Sequence, residues 1–377
     1  MKLNKIGVIG NLVNVGQNIS FNLNRIGIDT KLILHEHEIP TWKFFNQNKN
    51  PNLEPTLEII PKKAFDNKFL RRFSEISHLN KFDVIISVAL GGMWSLPFVR
   101  KPFVSYATGS DLRELAAGIG YTGLEVSQAR RVFKKAKLVF FSPDQGHIEM
   151  IKKLKLKNVI PWKQFVDTEF WKPVNSESYK ESKHLTIFHP TALNWVPKTE
   201  GQSLKSNNLL FEGFRSFLDS GGSGKLYFLK RGQNVSETEE LIEKLDLKKF
   251  CESVGENLEP VQLKSKMINA DIIVDQFHPG GGFGLITLEA MSLGKPTMVG
   301  ITDEMMKLAY PNNDFPPILQ AFSKEQIAKK FMAMQDSKIR EQIGLRSREW
   351  ILTHHGSQKL AYWYLEKIQE ALSKINI

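Results

Sequence analysis

The 377-residue sequence has one cysteine, Cys251. That excludes an internal disulfide framework and a cysteine-rich zinc site, and fits a reducing compartment or a fold that needs no cross-links. Long apolar runs are missing as well: no stretch approaches the roughly 18 consecutive apolar residues that a membrane span needs. The opening MKLNKIGVIGNLVN reads as a short strand and turn, not as a signal peptide, which places the chain in the cytoplasm. No histidine pair has a convincing metal-ligand spacing, no G-x-S-x-G elbow occurs, and the glycines that follow the first strand do not have the G-x-G-x-x-G spacing of a dinucleotide fingerprint. Those absences count against a histidine-held metal centre, a serine hydrolase and a standard dinucleotide site. Internal repeats and low-complexity tracts are absent too.

Acidic residues are scarce in one half only. Residues 1–180 hold 27 Lys and Arg against 16 Asp and Glu, whereas residues 181–377 hold 24 of each, so the whole net charge of +11 belongs to the N-terminal half. Three stretches carry much of it: KKAFDNKFLRRF (62–73), ARRVFKKAK (129–137) and IKKLKLK (151–157). Each mixes basic and apolar residues at spacings that a helix sorts into two faces. Such a face either lies on an anionic membrane surface, which would put the chain at the inner membrane periphery, or is solvated above an apolar underside packed on a sheet. Nucleic acid as a partner has no zinc-finger spacing, RNA-recognition signature or dense arginine tract to support it.

Apolar runs rich in Val, Ile and Phe alternate with helix-length amphipathic segments along the chain. This is the pattern of parallel sheets covered by helices on both faces, so the expected class is α/β. Strands are expected near 5–9, 30–34, 84–88, 103–107 and 138–141, and again near 185–189, 225–229, 250–254, 272–275 and 297–300. Between them the pattern lapses over 161–183, PWKQFVDTEFWKPVNSESYKESK, an expected interdomain linker. Two Rossmann-like α/β domains follow, over 1–168 and 169–356, facing across a cleft; a last helix near 357–377 packs back on the first.

The most specific local signal is ADIIVDQFHPGGGFGLITLEAMSLGKPTMVG (270–300), a strand running into a glycine-rich turn, a helix and another strand. Gly280, Gly281, Gly282 and Gly284 leave backbone N–H groups accessible at a helix N-terminus, either to meet a phosphate or sugar hydroxyl or for tight packing alone. Glu289 lies one turn into that helix, within reach of ribose hydroxyls. His189 and His278 sit at the same strand ends, while His147, His354 and His355 have no supporting context.

The run FGLITLEAMSLGKP resembles the C-terminal signature of the retaining glycosyltransferases of family 4, which have the GT-B fold. The resemblance implies that Glu289 binds the donor ribose and that the backbone of Gly281, Gly282, Phe283 and Gly284, with His278 nearby, meets the donor. The family's second glutamate is replaced by Gly281. The segment 187–217 is similar to the one that opens the family's C-terminal domain, with Ala192 where an arginine is common. It implies Lys205 and Lys198 on the donor diphosphate, with Lys230 and Arg231 as reserve cations, unless these are solvated surface lysines. The opening unit 5–34 resembles the family's acceptor-side loop, with Gly10, Asn11 and Gly16 as the matching positions; Gly10 is equally a turn glycine. In KPFVSYATGSDLREL (101–115) the family histidine is replaced by Thr108, while Gly109, Ser110 and Asp111 match. Asp111 either caps the following helix or takes a proton from an acceptor hydroxyl.

What the resemblance implies is transfer of a sugar from a nucleotide sugar to a hydroxyl of a glycan or lipid-linked acceptor, with retention, no obligatory metal and no cofactor. Two other readings stand beside it. A protein of this fold that binds nucleotide sugar or glycan without turnover would explain Gly281 and Thr108. A nucleotide-dependent oxidoreductase would use Glu36, which follows the second strand, although the opening unit 5–34 does not carry its fingerprint.

Overall fold

A computed structural model describes residues 3–39, 56–60, 68–173, 184–197, 204–278 and 280–374. The chain divides into two compact units, Met1–Phe165 with Ser357–Ile377, and Val166–Gly356. Unit 1 runs β1 (Lys5–Ile9), α1 (Val15–Arg25), β2 (Asp29–His35), β3 (Thr56–Ile60), α2 (Lys68–Leu79), β4 (Val84–Val88), β5 (Phe103–Tyr106), α3 (Gly123–Lys135), β6 (Val139–Phe141), α4 (Gln145–Leu154) and β7 (Val159–Pro161). Unit 2 continues with β8 (His184–His189), α5 (Asn208–Asp219), β9 (Ser223–Phe228), α6 (Val235–Lys244), β10 (Cys251–Ser253), α7 (Pro260–Ile268), β11 (Ile272–Val274), α8 (Leu285–Ser292), β12 (Thr297–Val299), α9 (Asp303–Ala309), β13 (Leu319–Gln320), α10 (Lys324–Met334) and α11 (Ser337–His354). Helix α12 (Ser357–Ser373) then returns to unit 1.

Both sheets are parallel, in the orders β3-β2-β1-β4-β5-β6-β7 and β10-β9-β8-β11-β12-β13. The strands are near-continuous apolar runs because helices cover both faces; all five residues of β4, VIISV, are buried. Two such doubly wound sheets make the chain a two-domain Rossmann-like fold.

Three strands lie outside the sequence expectation. β3 and β7 edge the first sheet and β13 edges the second; β7 and β13 have only three and two residues, and Glu58 interrupts the apolar run of the five-residue β3. Pro161 ends β7, where the edge leaves its missing N–H without consequence. The expected linker is also shorter than its polar composition suggested. Trp162, Phe165, Val166 and Trp171 are buried, so 161–173 packs down instead of spanning solvent, and 174–183 lies outside the described residues. The unit boundary falls between Phe165 and Val166.

An aromatic cluster holds α12 on the first sheet. The Tyr364 ring stacks on Phe165 at 5.2 Å and meets Phe140 edge-on at 4.8 Å. Its hydroxyl donates to the Lys163 carbonyl at 2.6 Å, and Trp162 Nε1 donates to the Ala107 carbonyl at 2.9 Å. Among the described residues no helix is long and apolar enough to cross a membrane.

Candidate functional site

In open parallel sheets, ligands bind beyond the carboxyl ends of the strands where strand order reverses. Each unit has one such point: between β1 and β4, and between β8 and β11.

At the unit 2 reversal, β11 delivers Asp275 into a buried network. Thr191 Oγ1 donates to Asp275 Oδ1 at 2.7 Å and Thr287 Oγ1 donates to Oδ2 at 2.8 Å. This ties the β8 exit, the β11 exit and helix α8 to one carboxylate that is only 2% exposed. Gly284 is required here: a Cβ at that position would sit 2.3 Å from Asp275 Oδ2. Asp275 was not among the sequence candidates, although an acid directly after a buried strand and before a glycine turn is a readable signal, because a buried carboxylate must find partners.

His189 lies behind this network and is fully buried. Nδ1 donates to the Val274 carbonyl at 2.9 Å, which leaves Nε2 to accept from Asn207 Nδ2 at 2.8 Å. Burial pushes its pKa down to about 4, against the upward pull of the Val274 hydrogen bond and Asp275; Lys205 and Arg231 add to the depression. His189 is therefore a neutral brace, not a residue that touches ligand. Lys205 and Arg231 thus lie at this end of the sheet, close enough to act on His189.

Arg231 donates from one terminal nitrogen to the Pro190 carbonyl at 2.8 Å, while its buried Nε has no hydrogen-bond partner among the described residues. Burial lowers its pKa and the nearby Asp275 and Glu289 carboxylates raise it. Lys205 is fixed through its backbone, its N–H donating to Asn194 O at 2.6 Å and its carbonyl accepting from Phe277 at 2.8 Å. Glu289 lies on α8 and is buried. Lys230 points elsewhere and pairs with Glu239, and Lys198 lies outside the described residues.

The glycine turn is less open than its composition implied. Gly280 N–H donates to His278 Nδ1 at 3.2 Å and Gly281 N–H to the His278 carbonyl at 2.9 Å, so His278 braces the turn and Gly281 has no N–H to offer. The N–H groups of Gly282, Phe283 and Gly284 carry no hydrogen bond among the described residues. The Phe283 side chain is buried against Tyr310, with ring centroids 6.1 Å apart.

At the unit 1 reversal there is a cavity of about 850 Å³. Gly10 and Asn11 from the β1 exit, His35 and Glu38 after β2, Arg72 and Glu75 on α2, and the segment 88–95 all line it. Gly16 stands behind this wall, where a Cβ would meet the Gly10 carbonyl at 2.1 Å; it is a packing glycine. Ala89 and Leu90 have φ of 50° and 57°, left-handed values that cost non-glycine residues roughly 1–2 kcal/mol each. They are held by Ala89 N–H on the Tyr106 carbonyl and by Ser87 Oγ on the Gly91 carbonyl. Backbone strain of this kind gathers at functional sites. The Arg72 guanidinium lies 5.6 Å from the Trp94 ring centre. The sequence pattern held Arg72 only as part of the basic stretch 62–73 and singled out neither Glu75 nor Trp94.

The loop at 108–111 follows β5 and is not part of the unit 1 cavity lining. The Asp111 carboxylate accepts from the N–H groups of Thr108, Gly109 and Leu112 at 2.9–3.1 Å, which is a loop-holding role. The Thr108 hydroxyl is buried with no partner among the described residues. His147, which sequence context left unexplained, is fully buried and bridges the Ser142 and Gly109 carbonyls at 3.1 and 2.9 Å, anchoring this loop to α4. His354 and His355 also have partners, Asp314 and the Tyr310 hydroxyl.

No family model and no curated protein matches the chain. Solved structures do. HepE of Anabaena, in complex with UDP and glucose, superposes with a TM-score of 0.69 at 14% identity, covering 98% of this chain and 100% of that one. The sucrose-phosphate synthase of Thermosynechococcus elongatus matches with 0.64 at 12% identity, covering 98% and 100%. TarM of S. aureus, in complex with UDP, matches with 0.65 at 11% identity, covering 98% and 99%. At such identities the likeness establishes the fold: the chain has the two-domain GT-B architecture of these glycosyltransferases.

Proposed function

We propose that the protein is a glycosyltransferase that moves a hexosyl or related unit from a nucleotide sugar to an acceptor hydroxyl. The observation that carries this reading is the placement of Lys205, Arg231 and Glu289 around the Asp275 network: the Lys205 backbone is bonded to Asn194 and Phe277, Arg231 donates to the Pro190 carbonyl beside Thr191, and Glu289 lies on α8 with Thr287. As the bond from the sugar to the diphosphate breaks, negative charge grows on the leaving nucleoside diphosphate. Preorganised cations stabilise that charge without solvent reorganisation. Lys205 and Arg231, whose Nε has no hydrogen-bond partner among the described residues, are suited to it, and the N–H groups of Gly282, Phe283 and Gly284, which carry no hydrogen bond among the described residues, add donors at the positive end of α8. Glu289 takes the ribose hydroxyls. This cation set requires no metal, and retention follows from the family 4 resemblance.

The acceptor, a glycan or lipid-linked glycan of polysaccharide assembly, is assigned to the unit 1 cavity, where Trp94 offers an aromatic face and Arg72, Glu38 and Glu75 offer polar contacts. Asp111 is left out of proton transfer, because its buried carboxylate holds three backbone N–H groups of its own loop. That UDP and UDP-glucose are bound by HepE supports a nucleotide-sugar donor here.

The test is calorimetric binding of UDP, GDP, CDP and ADP to the wild type, Lys205→Ala, Arg231→Ala and Glu289→Ala. One nucleotide should bind, and loss of either cation should weaken it about 10–100-fold, the worth of one charge-assisted hydrogen bond. Binding by none of the four, or variants equal to wild type, overturns the donor site. Binding with no release of nucleotide from any sugar donor and acceptor pair would leave a non-catalytic binding protein.

A further inference from the structure

We propose that the mouth of the unit 1 cavity is a docking surface for an anionic lipid bilayer. Leu124 is 69% exposed, Phe73 66%, Phe98 49% and Leu12 48%. Singly exposed apolar residues mean little, but two of these line one opening and the other two adjoin its wall in the chain or through α3. Leu12 and Leu124 line the cavity together with Arg72; Phe73 follows Arg72 on α2; and Phe98 lies under the Arg131 guanidinium, 5.1 Å from its ring centre.

Helix α3 organises the patch. Val126, Ala129, Val132 and Phe133 enter the core, and Gln128 donates to the Met93 carbonyl at 3.1 Å, which seats the helix against the cavity wall. The opposite face, exposed throughout, carries Leu124, Ser127, Arg131 and Lys134 at three- and four-residue spacing. Arg130 and Lys135 are tied to the carbonyls of Ala116 and Pro97, while Glu125 is engaged by Thr122 in the helix cap. Arg131 and Lys134 are thus the outward charges of this face, on the half of the chain that holds all of the net positive charge.

Leucine and phenylalanine bordered by outward cations fit the bilayer interface. Apolar side chains enter the acyl boundary while the guanidinium and ammonium groups stay with lipid phosphates. The docking itself is independent of the transferase reading. Its consequence rests on that reading: an acceptor whose lipid anchor stays in the bilayer would present its head group at the cavity.

The experiment is sedimentation of the full chain with vesicles of phosphatidylcholine alone or mixed with phosphatidylglycerol, at low and high salt. The wild type should partition onto the mixed vesicles, less so at high salt, and weakly onto phosphatidylcholine. Two variants, Phe73→Ser with Phe98→Ser and Leu124→Ser, and Arg131→Glu with Lys134→Glu, should each weaken partitioning by at least about tenfold. Both should keep wild-type melting temperatures and nucleotide binding. Wild type that stays in the supernatant, or variants that sediment as it does, overturn the proposal. So does a dimer in solution that the same substitutions dissociate without any vesicle binding, since a second copy would then cover the patch. Loss of nucleotide binding with vesicle docking intact would remove the transferase reading and leave this surface standing.

Discussion

Replacing Thr287 with Val removes one of the two hydroxyls that donate to Asp275 and keeps the shape of the side chain. The bond is 2.8 Å long, Thr287 is fully buried and the carboxylate is 2% exposed, so water does not replace the lost donor. A hydrogen bond to a charged group is worth roughly 1.5–3 kcal/mol, and about 2–4 °C of melting temperature per kcal/mol applies to a unit of this size, so the expected fall is about 3–12 °C. Asp275→Ala should cost more, because the hydroxyls of Thr191 and Thr287 are then both left in the interior at roughly 1–3 kcal/mol each. In the Asp275→Ala background, Thr287→Val should cost nothing further or restore stability, since it removes one of those orphaned groups. The assay is thermal and urea unfolding of the wild type, both single variants and the double variant, closed as a cycle. A Thr287→Val melting point within about 1 °C of wild type, or strictly additive costs in the double variant, would refute the claim that this carboxylate locks the reversal point.

Acid should weaken unit 2 through His189, whose folded pKa of about 4 lies below the unfolded 6.5. Its contribution is complete above the unfolded value and is lost as pH falls toward the folded one, about 3 kcal/mol in all, read as the difference between wild type and His189→Gln in urea unfolding. Lys295 acts at the alkaline end: it is 2% exposed, and burial lowers its pKa from 10.5 to about 8 against the pull of Asp271. The unfolded chain then binds the extra proton between those values, so stability should rise by about 3 kcal/mol across that window, and Lys295→Met should flatten the rise. Tyr364→Ala should cost roughly 3–5 kcal/mol by emptying the aromatic cluster under α12, measured by urea unfolding; a loss below about 1 kcal/mol would mean that α12 is held elsewhere.

Local chemistry made much of the fold legible. The short β-branched run VIISV reads as a strand buried on both faces, and repeated alternation with amphipathic segments leads to parallel sheets by the sterics of right-handed crossovers. The glycine-rich turn before α8 and the resemblance across 270–300 pointed to one end of the second sheet, and Lys205, Arg231 and Glu289 were already named as candidates there. Periodicity carried no signal for the two-residue strand β13 or for β7 with its terminal proline, because such edges bury too little to pattern the sequence.

Tertiary structure decided what each candidate is able to do. Asp275 meets Thr191 across 84 positions of chain, and His147 reaches Gly109 across 38, distances over which no local preference operates. The same folding occupied the N–H of Gly281, buried His189 and spent the Asp111 carboxylate on its own loop. It also gathered Leu12, Arg72, Trp94 and Leu124 around one cavity, from four segments that share no motif. Residue types and their periods set which segments became strands and helices, since those follow from local sterics and burial. Which donors remain open and which side chains share a surface followed only from the packing of segments distant in sequence, where every buried polar group had to find its partner.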